Sequence, residues 1–255
     1  MTNLSDRERD RYKRQMMMEG WGEDTQRKLK QSTVFVAGAG GLGSPVSIYL
    51  AVAGVGRIVI CDFDAPEYSN LNRQILHDPS RIGINKALSA QITLRTINPD
   101  IEVTALTNKI TADNVDEMVG DAAIIMDCMD NLETRYVLSD SAMRKRIPMV
   151  HAAIWGIDGR MTFLHVPHTP CLRCIIQAAP PREVFPVLGA TPGVIGTLQV
   201  VEAIKYLTGI GVPLRNEMLL WDGACTEFTR VRLRRDPTCS ACASVTIDAA
   251  AAFPC

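Results

Sequence analysis

Residues 36–54, VAGAGGLGSPVSIYLAVAG, place a glycine-rich turn between an apolar strand and an apolar helix. Gly38, Gly40 and Gly43 match the pattern G-x-G-x-x-G, which opens the nucleotide-binding unit of doubly wound α/β folds. Gly38 permits the tight turn, Gly40 and Gly41 let the backbone approach a phosphate, and Gly43 lets the helix pack on the sheet. The free N–H groups of the helix then favour an anion. This turn predicts a bound nucleotide and leaves NAD, a flavin and ATP open.

Strands and helices are predicted to alternate after residue 31, as they do in a parallel sheet. Residues 5–31 have a charged helical pattern that is interrupted around residues 20–22. Strands are then predicted at 33–38, 57–62, 101–107 and 122–128, and helices at 41–54, 84–97, 111–119 and 131–145. Strands joined by helices of this length form right-handed βαβ units.

The pattern changes after Pro148, where strands follow one another with little helix between them. Strands are predicted at 148–156, 160–166, 217–223 and 226–233, with one long helix at 193–208. The predicted fold class is therefore α/β, with a Rossmann-like, mostly parallel sheet that antiparallel strands continue. We expect a single domain over residues 1–255, divided into N-terminal helices (1–31), a nucleotide-binding half (32–150), an antiparallel extension (151–242) and a tail (243–255). The extension contains two C-x-x-C pairs, which are typical of a zinc site, and the crossover, the segment that leads from the first pair to the long helix.

Composition excludes several classes of function. The 255 residues are 47% apolar and carry a formal net charge of −1, whereas a nucleic-acid-binding domain carries a basic excess. The first residues, MTNLSDRERDRYKRQ, are too charged for a signal peptide, and no apolar run is long enough to span a membrane. We therefore expect a cytoplasmic protein with no nucleic-acid or membrane partner.

Charged residues follow at the places where such a sheet binds ligands. Asp62 ends the second predicted strand, where a carboxylate accepts hydrogen bonds from ribose hydroxyls. Arg73 and Lys86 come next, and two fixed cations there would stabilise the charge of a triphosphate. Asp130, at the end of the strand sequence IIMDCMD, is a natural Mg²⁺ ligand beside phosphates. Each residue alone also fits a surface or helix-capping role, but together they favour a triphosphate over a dinucleotide.

Several motifs occur in a specific order along the chain. They are GAGGLGSP, the Asp62–Phe63–Asp64 segment, SNLNRQ, the helix of Lys86, DCMDN, PCLRC, TPGVIG and a final C-x-x-C. Over about residues 8–242 the chain resembles the ThiF/MoeB/HesA family of ATP-dependent adenylyltransferases, the prokaryotic relatives of ubiquitin-activating enzymes.

The resemblance implies a reaction and its partners. Such an enzyme binds ATP and Mg²⁺ and transfers AMP to the terminal carboxylate of a small ubiquitin-like sulfur-carrier protein that ends in Gly-Gly. Pyrophosphate is released, and the activated carrier serves sulfur transfer for molybdopterin, thiamine or tRNA thiolation. The carboxylate is already ionised near pH 7, so the reaction needs no general base, and catalysis rests on positioning and charge neutralisation.

The resemblance also implies roles for individual residues. Catalytic roles fall to Arg73, Lys86, Asp130, which holds Mg²⁺, and Arg14, which reaches into the ATP site of a partner subunit and so implies a homodimer. The ATP-binding residues by this similarity are Gly38, Gly40, Gly41, Gly43, Asp62, Asp64, Asn70, Asn72, Arg73, Gln74, Lys86, Asp130 and Asn131.

Cysteines predict a metal site in the second half of the chain. Two C-x-x-C pairs, Cys171 with Cys174 and Cys239 with Cys242, together make a Cys₄ set for a structural Zn²⁺. Relatives of this kind often carry a further cysteine for a thioester or acyl-disulfide step, but the sequence IIQAAPPREVFPVLGA has none at that place. Two other cysteines, Cys128 and Cys225, remain as substitutes for it, but each is expected to be a small buried apolar residue.

Three alternatives stay open at this point. An NAD(P)- or flavin-dependent oxidoreductase would explain the glycine turn and Asp62 but would leave Arg73 and Lys86 without a role. A non-catalytic module could dock a carrier protein without chemistry. The same adenylation could also act on a small carboxylic acid, a peptide or a cofactor precursor. The three histidines near strand ends, His151, His165 and His168, are expected to be structural.

Overall fold

The structure is a computed structural model that describes residues 3–177 and 186–246. Its strands are β1 (Thr33–Ala37), β2 (Arg57–Cys61), β3 (Glu102–Leu106), β4 (Ile124–Asp127), β5 (Met149–Trp155), β6 (Asp158–Leu164), β7 (Glu217–Asp222) and β8 (Glu227–Arg232). Its helices are α1 (Asp6–Met16), α2 (Gly22–Gln31), α3 (Gly43–Ala53), α4 (Lys86–Ile97), α5 (Val115–Val119), α6 (Leu132–Lys145), α7 (Leu172–Ile175) and α8 (Ala190–Thr208). The predicted alternation of strands and helices is confirmed.

The strands form one mixed sheet in the order β3-β2-β1-β4-β5-β6-β7-β8. Pairing is parallel from β3 to β5 and antiparallel from β5 to β8, as predicted. The strand order reverses direction between β1 and β4, which are neighbours in the sheet although β2 and β3 lie between them in the chain. Open α/β sheets bind ligands outside the carboxyl ends of the strands at such a switch point. A ligand is therefore expected at the loops that follow β1 and β4.

The residues of β1 are buried on both faces of the sheet. Val34 and Val36 pack in one hydrophobic cluster, on the side of α3, α4 and α8, while Phe35 and Ala37 pack in a second, on the side of α5 and α6. Alternate residues of a strand point to opposite faces, so a central parallel strand needs a continuous apolar run. The sequence TVFVA meets this requirement.

Two glycines are required where β1 turns into α3. Gly38 has a positive φ of 97°, and a Cβ there would lie 2.8 Å from the carbonyl oxygen of Cys128. A Cβ on Gly43 would lie only 1.9 Å from the carbonyl oxygen of Gly38. No side chain fits either position, so the turn depends on glycine for both conformation and space.

Some predicted boundaries need correction. The helix predicted at 111–119 is only α5, because Asn114 instead folds the preceding residues into a turn by accepting from the Thr111 N–H and donating to the Lys109 carbonyl. The short helix α7 was not predicted. Most of the predicted tail (243–255) and residues 178–185 of the crossover lie outside the described residues. Within the described ranges, no helix combines the length and the apolarity needed to cross a bilayer.

Candidate functional site

The glycine loop between β1 and α3 lies directly against Arg73 and Gln74. A Cβ placed on Gly41 would lie 3.6 Å from Cδ of Arg73, and one on Gly40 would lie 3.5 Å from Nε2 of Gln74. The backbone of the loop therefore packs against the aliphatic stem of Arg73 at the carboxyl end of β1. A guanidinium carried this close to the N–H groups of a glycine loop is typical of an anion site.

Asp62 follows β2 directly and contacts the same loop. Its Oδ2 accepts from the N–H of Ala39 at 2.8 Å, and its Oδ1 accepts from the N–H of Asp64 at 2.9 Å. Burial raises the pKa of the Asp62 carboxyl, and these N–H groups and the nearby Lys86 act in the opposite direction. The carboxylate thus lies beside the glycine loop, and its contact with ribose hydroxyls stays a prediction.

Lys86 is the first residue of α4 and is almost fully buried, with an exposed fraction of 8%. Its N–H donates to the carbonyl of Asp64 at 2.7 Å, and its Nζ lies 4.0 Å from Oδ2 of the same residue. Asn85 caps the helix, because its Oδ1 accepts from the N–H groups of Ala87 and Leu88. A capped helix end therefore fixes the ammonium beside the two acids of the Asp62–Asp64 segment.

The loop between β2 and α4 carries the asparagines and the arginine of the SNLNRQ motif. Asn70 Oδ1 accepts from the N–H of Glu67, and Asn72 Oδ1 accepts from Nη1 of Arg73 at 3.0 Å. The same Nη1 donates to the carbonyl of Ser69 at 3.0 Å. These contacts fix the guanidinium, so in the described structure the two asparagine oxygens serve the loop itself.

Asp130 does not end β4, as the sequence analysis had placed it. The strand ends at Asp127, and Asp130 lies exposed in the loop beyond it. The side chain of Asn131 caps α6 through a bond from the N–H of Thr134 at 2.9 Å, and its Nδ2 lies 3.4 Å from Oδ1 of Asp130. The carboxylate is therefore available to a ligand, while the oxygen of Asn131 is already used.

Asp127 was missed by the sequence analysis. It is fully buried and accepts from Nδ1 of His151 at 2.6 Å and from the N–H of Met129 at 3.1 Å. Nε of Arg135 lies 3.7 Å from its Oδ2, and the same guanidinium donates to the carbonyls of Met129 and Ala152. This buried network fixes the loop that leads from β4 to Asp130.

His151 belongs to the same buried network as Asp127. The ring is fully buried in β5, and burial lowers its pKa although the carboxylate acts in the opposite direction. A neutral ring with hydrogen on Nδ1 donates to Asp127, so His151 is structural, as expected. The sequence signal for this network was the pair of acids in IIMDCMD, of which Asp127 is the buried one and Asp130 the exposed one.

Arg14 lies exposed in the last turn of α1. Among residues 3–177 and 186–246, no hydrogen bond or ion pair joins its side chain to another residue of the chain. Its predicted role in a partner's site is not tested by the structure of one chain.

The four cysteines of the two C-x-x-C pairs come together. Their Sγ atoms all lie within 4.8 Å of one another, with Cys171–Cys174 at 3.7 Å, Cys171–Cys239 at 3.7 Å and Cys174–Cys242 at 3.5 Å. Four thiolates about 2.3 Å from a tetrahedral Zn²⁺ would be about 3.8 Å apart, whereas a disulfide needs about 2.05 Å. The donor set therefore fits a structural zinc ion.

The environment of the cluster fits the same assignment. Arg235 donates from Nη2 to the carbonyl of Val245 at 2.7 Å and also to the carbonyl of Cys242, which fixes the second cysteine loop. Burial and neighbouring thiols raise the pKa of Cys174. For Cys239, burial also raises the pKa, but N–H groups of the second cysteine loop lower it and so favour the thiolate.

The two cysteines outside the cluster differ from each other. Cys128 is buried, and burial raises the pKa of its thiol, so it is a small apolar residue as predicted. Cys225 was predicted to be buried as well, but it is exposed in the turn between β7 and β8. That prediction was wrong, because a tight hairpin turn at a sheet edge leaves its residues in solvent.

Comparisons with known proteins agree with the motifs. The ThiF family model matches residues 12–241. The chain is 39% identical over 246 residues to the sulfur carrier protein adenylyltransferase of Thermus thermophilus, covering 92% of this chain and 91% of that protein. It is 41% identical over 244 residues to the heterocyst protein HesA of Trichormus variabilis, covering 95% and 91%.

Two further matches differ in coverage or in sequence. The chain is 39% identical over 250 residues to the adenylyltransferase and sulfurtransferase MOCS3 of Drosophila yakuba, but it spans only 55% of that protein's length. The crystal structure of E. coli MccB with ATP superposes with a TM-score of 0.82 at 23% identity, covering 94% of this chain and 76% of MccB, and this likeness shows the fold. From the family model and the relatives that match along nearly their whole length, the chain belongs to the ThiF family.

Proposed function

We propose that this enzyme, an adenylyltransferase of the ThiF family, activates the C-terminal carboxylate of a small ubiquitin-like sulfur-carrier protein as an acyl-adenylate. The observation that supports this most directly is that the glycine loop, Arg73, Lys86 and Asp62 border one space at the carboxyl ends of β1 and β2. Two fixed cations there fit the triphosphate of ATP better than the less charged pyrophosphate of a dinucleotide. Relatives named sulfur carrier protein adenylyltransferase and MOCS3 support the carrier as substrate.

The proposed reaction is a displacement at the α-phosphorus of ATP. An oxygen of the carboxylate forms a bond to that phosphorus, the bond from phosphorus to the oxygen that bridges to the β-phosphate breaks, and pyrophosphate leaves. Both the nucleophile and the phosphates are negative, so the enzyme must bring like charges together. Backbone N–H groups of Gly40 and Gly41, together with Arg73 and Lys86, supply the positive field for this.

Other residues hold the nucleotide in place. Asp62 accepts the ribose hydroxyls, with Asp64 beside it, and Asn70, Asn72 and Gln74 support the loop of Arg73. The carboxylate of Asp130 would hold Mg²⁺, which neutralises phosphate charge when it is bound. Because the oxygen of Asn131 caps α6, Asn131 orients Asp130 and is not itself the preferred ligand.

A peptide substrate is the second candidate. MccB structures hold the peptide MccA, and the sequence from Ile175 to Ala190 contains no cysteine for a covalent step after adenylation. Either substrate presents an ionised C-terminal carboxylate to the same phosphates. The chemistry at the nucleotide is therefore common to both candidates, and the substrate distinguishes them.

ATP–pyrophosphate exchange with a panel of substrates tests the proposal. We expect exchange with β-grasp carriers that end in Gly-Gly, and none with the same carriers after removal of that dipeptide, which serve as matched controls. Exchange with short peptides or small acids but with no carrier would overturn the carrier assignment. ATP binding without any exchange, and tight NAD binding instead, would overturn adenylation itself.

We further propose a homodimer in which Arg14 of one subunit completes the ATP site of the other. An open apolar groove of about 590 Å³ between α3 and α8, next to the Arg73 loop, supports a second copy as its occupant. The groove is lined by Pro45, Tyr49, Ile75, Ala190, Gly193, Val194, Thr197, Leu198 and Phe228. A copy seated there would bring its own residues close to the phosphates.

Subunit mixing tests the shared site. Arg14→Ala and Lys86→Ala dimers are each expected to be inactive, but in a mixed dimer one site has both Lys86 and the partner's arginine. Random exchange of equal amounts makes about half the dimers mixed, each with one working site, so about a quarter of the original exchange activity should return. A mixture that stays as inactive as its components would contradict the composite site.

A further inference from the structure

His77 is a buried residue beside the glycine loop that the sequence analysis did not single out. Its Nε2 lies 2.9 Å from the carbonyl oxygen of Ala39, and its Nδ1 lies 2.9 Å from Oγ of Ser89. A carbonyl oxygen only accepts, so Nε2–H donates to Ala39 and Nδ1 accepts from the Ser89 hydroxyl. Both ring nitrogens of a neutral imidazole are thereby used.

The two partners of His77 belong to the two elements that face the phosphates. Ala39 directly precedes Gly40 in the glycine loop, and its N–H donates a hydrogen bond to the carboxylate of Asp62. Ser89 is fully buried and lies one turn after Lys86 on α4. The ring therefore joins the phosphate loop to the helix of the ammonium group.

The surroundings keep His77 fixed and neutral. Burial lowers the pKa of its ring, and the charges of Lys86 and Arg81 lower it further, while the bond to the Ala39 carbonyl and the charge of Asp78 act in the opposite direction. Nη1 of Arg81 donates to the carbonyl of Ser89 at 2.9 Å. The residue before the histidine, Leu76, donates its N–H to Oγ of Ser44 on α3 at 3.3 Å.

We propose that His77 is a positioning residue that holds the glycine loop at a fixed distance from Lys86, so that loop N–H groups and the ammonium meet the same phosphates. The inference rests on the proposed use of ATP, but it concerns how the triphosphate is held and not which carboxylate is activated. Displacement of a positioned group by about 1 Å is enough to cost about 10²-fold in rate. A single link between two elements is therefore able to control the reaction.

Ser89→Ala tests the link with little risk to the fold, because alanine is a good helix former. Calorimetric titration should show the dissociation constant of ATP·Mg rising about tenfold, the scale of one hydrogen bond to a charged group, while that of adenosine stays unchanged. The matched control is Ser47→Ala on α3, a buried serine whose Oγ has no hydrogen-bond partner among the described residues. It should change neither constant.

Two substitutions of the ring separate its two contacts. The amide nitrogen of glutamine reaches the position of Nε2, so His77→Gln keeps the bond to Ala39. The amide of asparagine reaches only the position of Nδ1, so His77→Asn loses that bond. We expect His77→Gln to bind ATP·Mg more tightly than His77→Asn, with equal adenosine binding. If either variant fails to fold, the Ser89→Ala comparison decides.

A merely structural role predicts a different result. It would lower the melting temperature and either weaken the binding of ATP and of adenosine equally or leave both unchanged. Either outcome would overturn the proposal. Because both ligands bind without a carboxylate substrate, an enzyme that binds ATP but adenylates no carrier would disprove the proposed substrate and leave this measurement valid. An enzyme that binds no ATP would overturn both.

Discussion

Lys86→Ala is expected to slow ATP–pyrophosphate exchange by about 10²-fold or more, the scale for losing one preorganised charged donor. The parent side chain is buried at the capped start of α4, where it does not need to reorganise as the reaction proceeds. Water that replaces it would have to reorient around the phosphates. Arg73→Ala should have an effect of similar size, because its guanidinium is fixed against the glycine loop by bonds from Nη1 to Ser69 and Asn72.

The stability of the Lys86 variant should remain close to that of the parent. The acid nearest to its ammonium, Asp64, is exposed, and the half-buried Asp62 keeps its two backbone N–H donors, so removal of the cation leaves no buried charge without a partner there. A melting curve recorded with the kinetics therefore separates lost catalysis from lost folding.

Lys145→Ala is a matched control, because it removes a lysine from the last turn of α6, at the end of the sheet where β4 and β5 begin, and its Nζ donates to the carbonyl of Gly120. That variant should exchange pyrophosphate at the parent rate. Exchange by Lys86→Ala within about twofold of the parent would contradict the role given to the ammonium, since even one modest hydrogen bond is worth about that much.

The sequence was sufficient for features that depend on neighbouring residues. The apolar run of β1, the glycines at 38 and 43 and the capped helix of Lys86 are each explained by a few consecutive residues. The Cys₄ cluster was also predicted, because two C-x-x-C pairs together supply the four thiolates of a structural Zn²⁺ site.

Features that depend on strand order were harder to predict. Asp127 and His151 become neighbours only because β4 and β5 pair in one register, which places the two residues side by side. The link from His77 to Ala39 and Ser89 likewise joins three separate segments. Exposure of Cys225 depends on the turn between β7 and β8 and not on the residue type. Each is set by tertiary packing, which a local pattern does not record.

Cys239→Ser is expected to abolish zinc binding and to lower the melting temperature by about 10 °C or more. Parent protein purified without chelator should contain close to one zinc per chain by elemental analysis, and the variant should contain almost none. A structural zinc site supplies about 10–16 kcal/mol of binding free energy in small domains. Loss of about 5 kcal/mol of that from a chain of this size corresponds to the expected shift, at about 2 °C per kcal/mol.

The location of the cluster explains why the loss should be large. The first cysteine pair lies around α7, which follows β6, while the second pair lies beyond β8 at the end of the sheet. In the described residues these loops meet in a small separate cluster with Val166, so few apolar contacts would hold them together without the metal. Four buried or half-buried thiols facing one another also need a cation to favour their thiolates.

Cys225→Ser provides the control for the zinc experiment. It makes the same chemical change at an exposed cysteine outside the cluster, so zinc content and melting temperature should match those of the parent. If Cys239→Ser also keeps both values, the four sulfurs do not form the structural metal site. If it loses zinc but melts as before, the ion contributes no stability to the fold. The role of the zinc would then lie near the crossover, which follows the first cysteine pair.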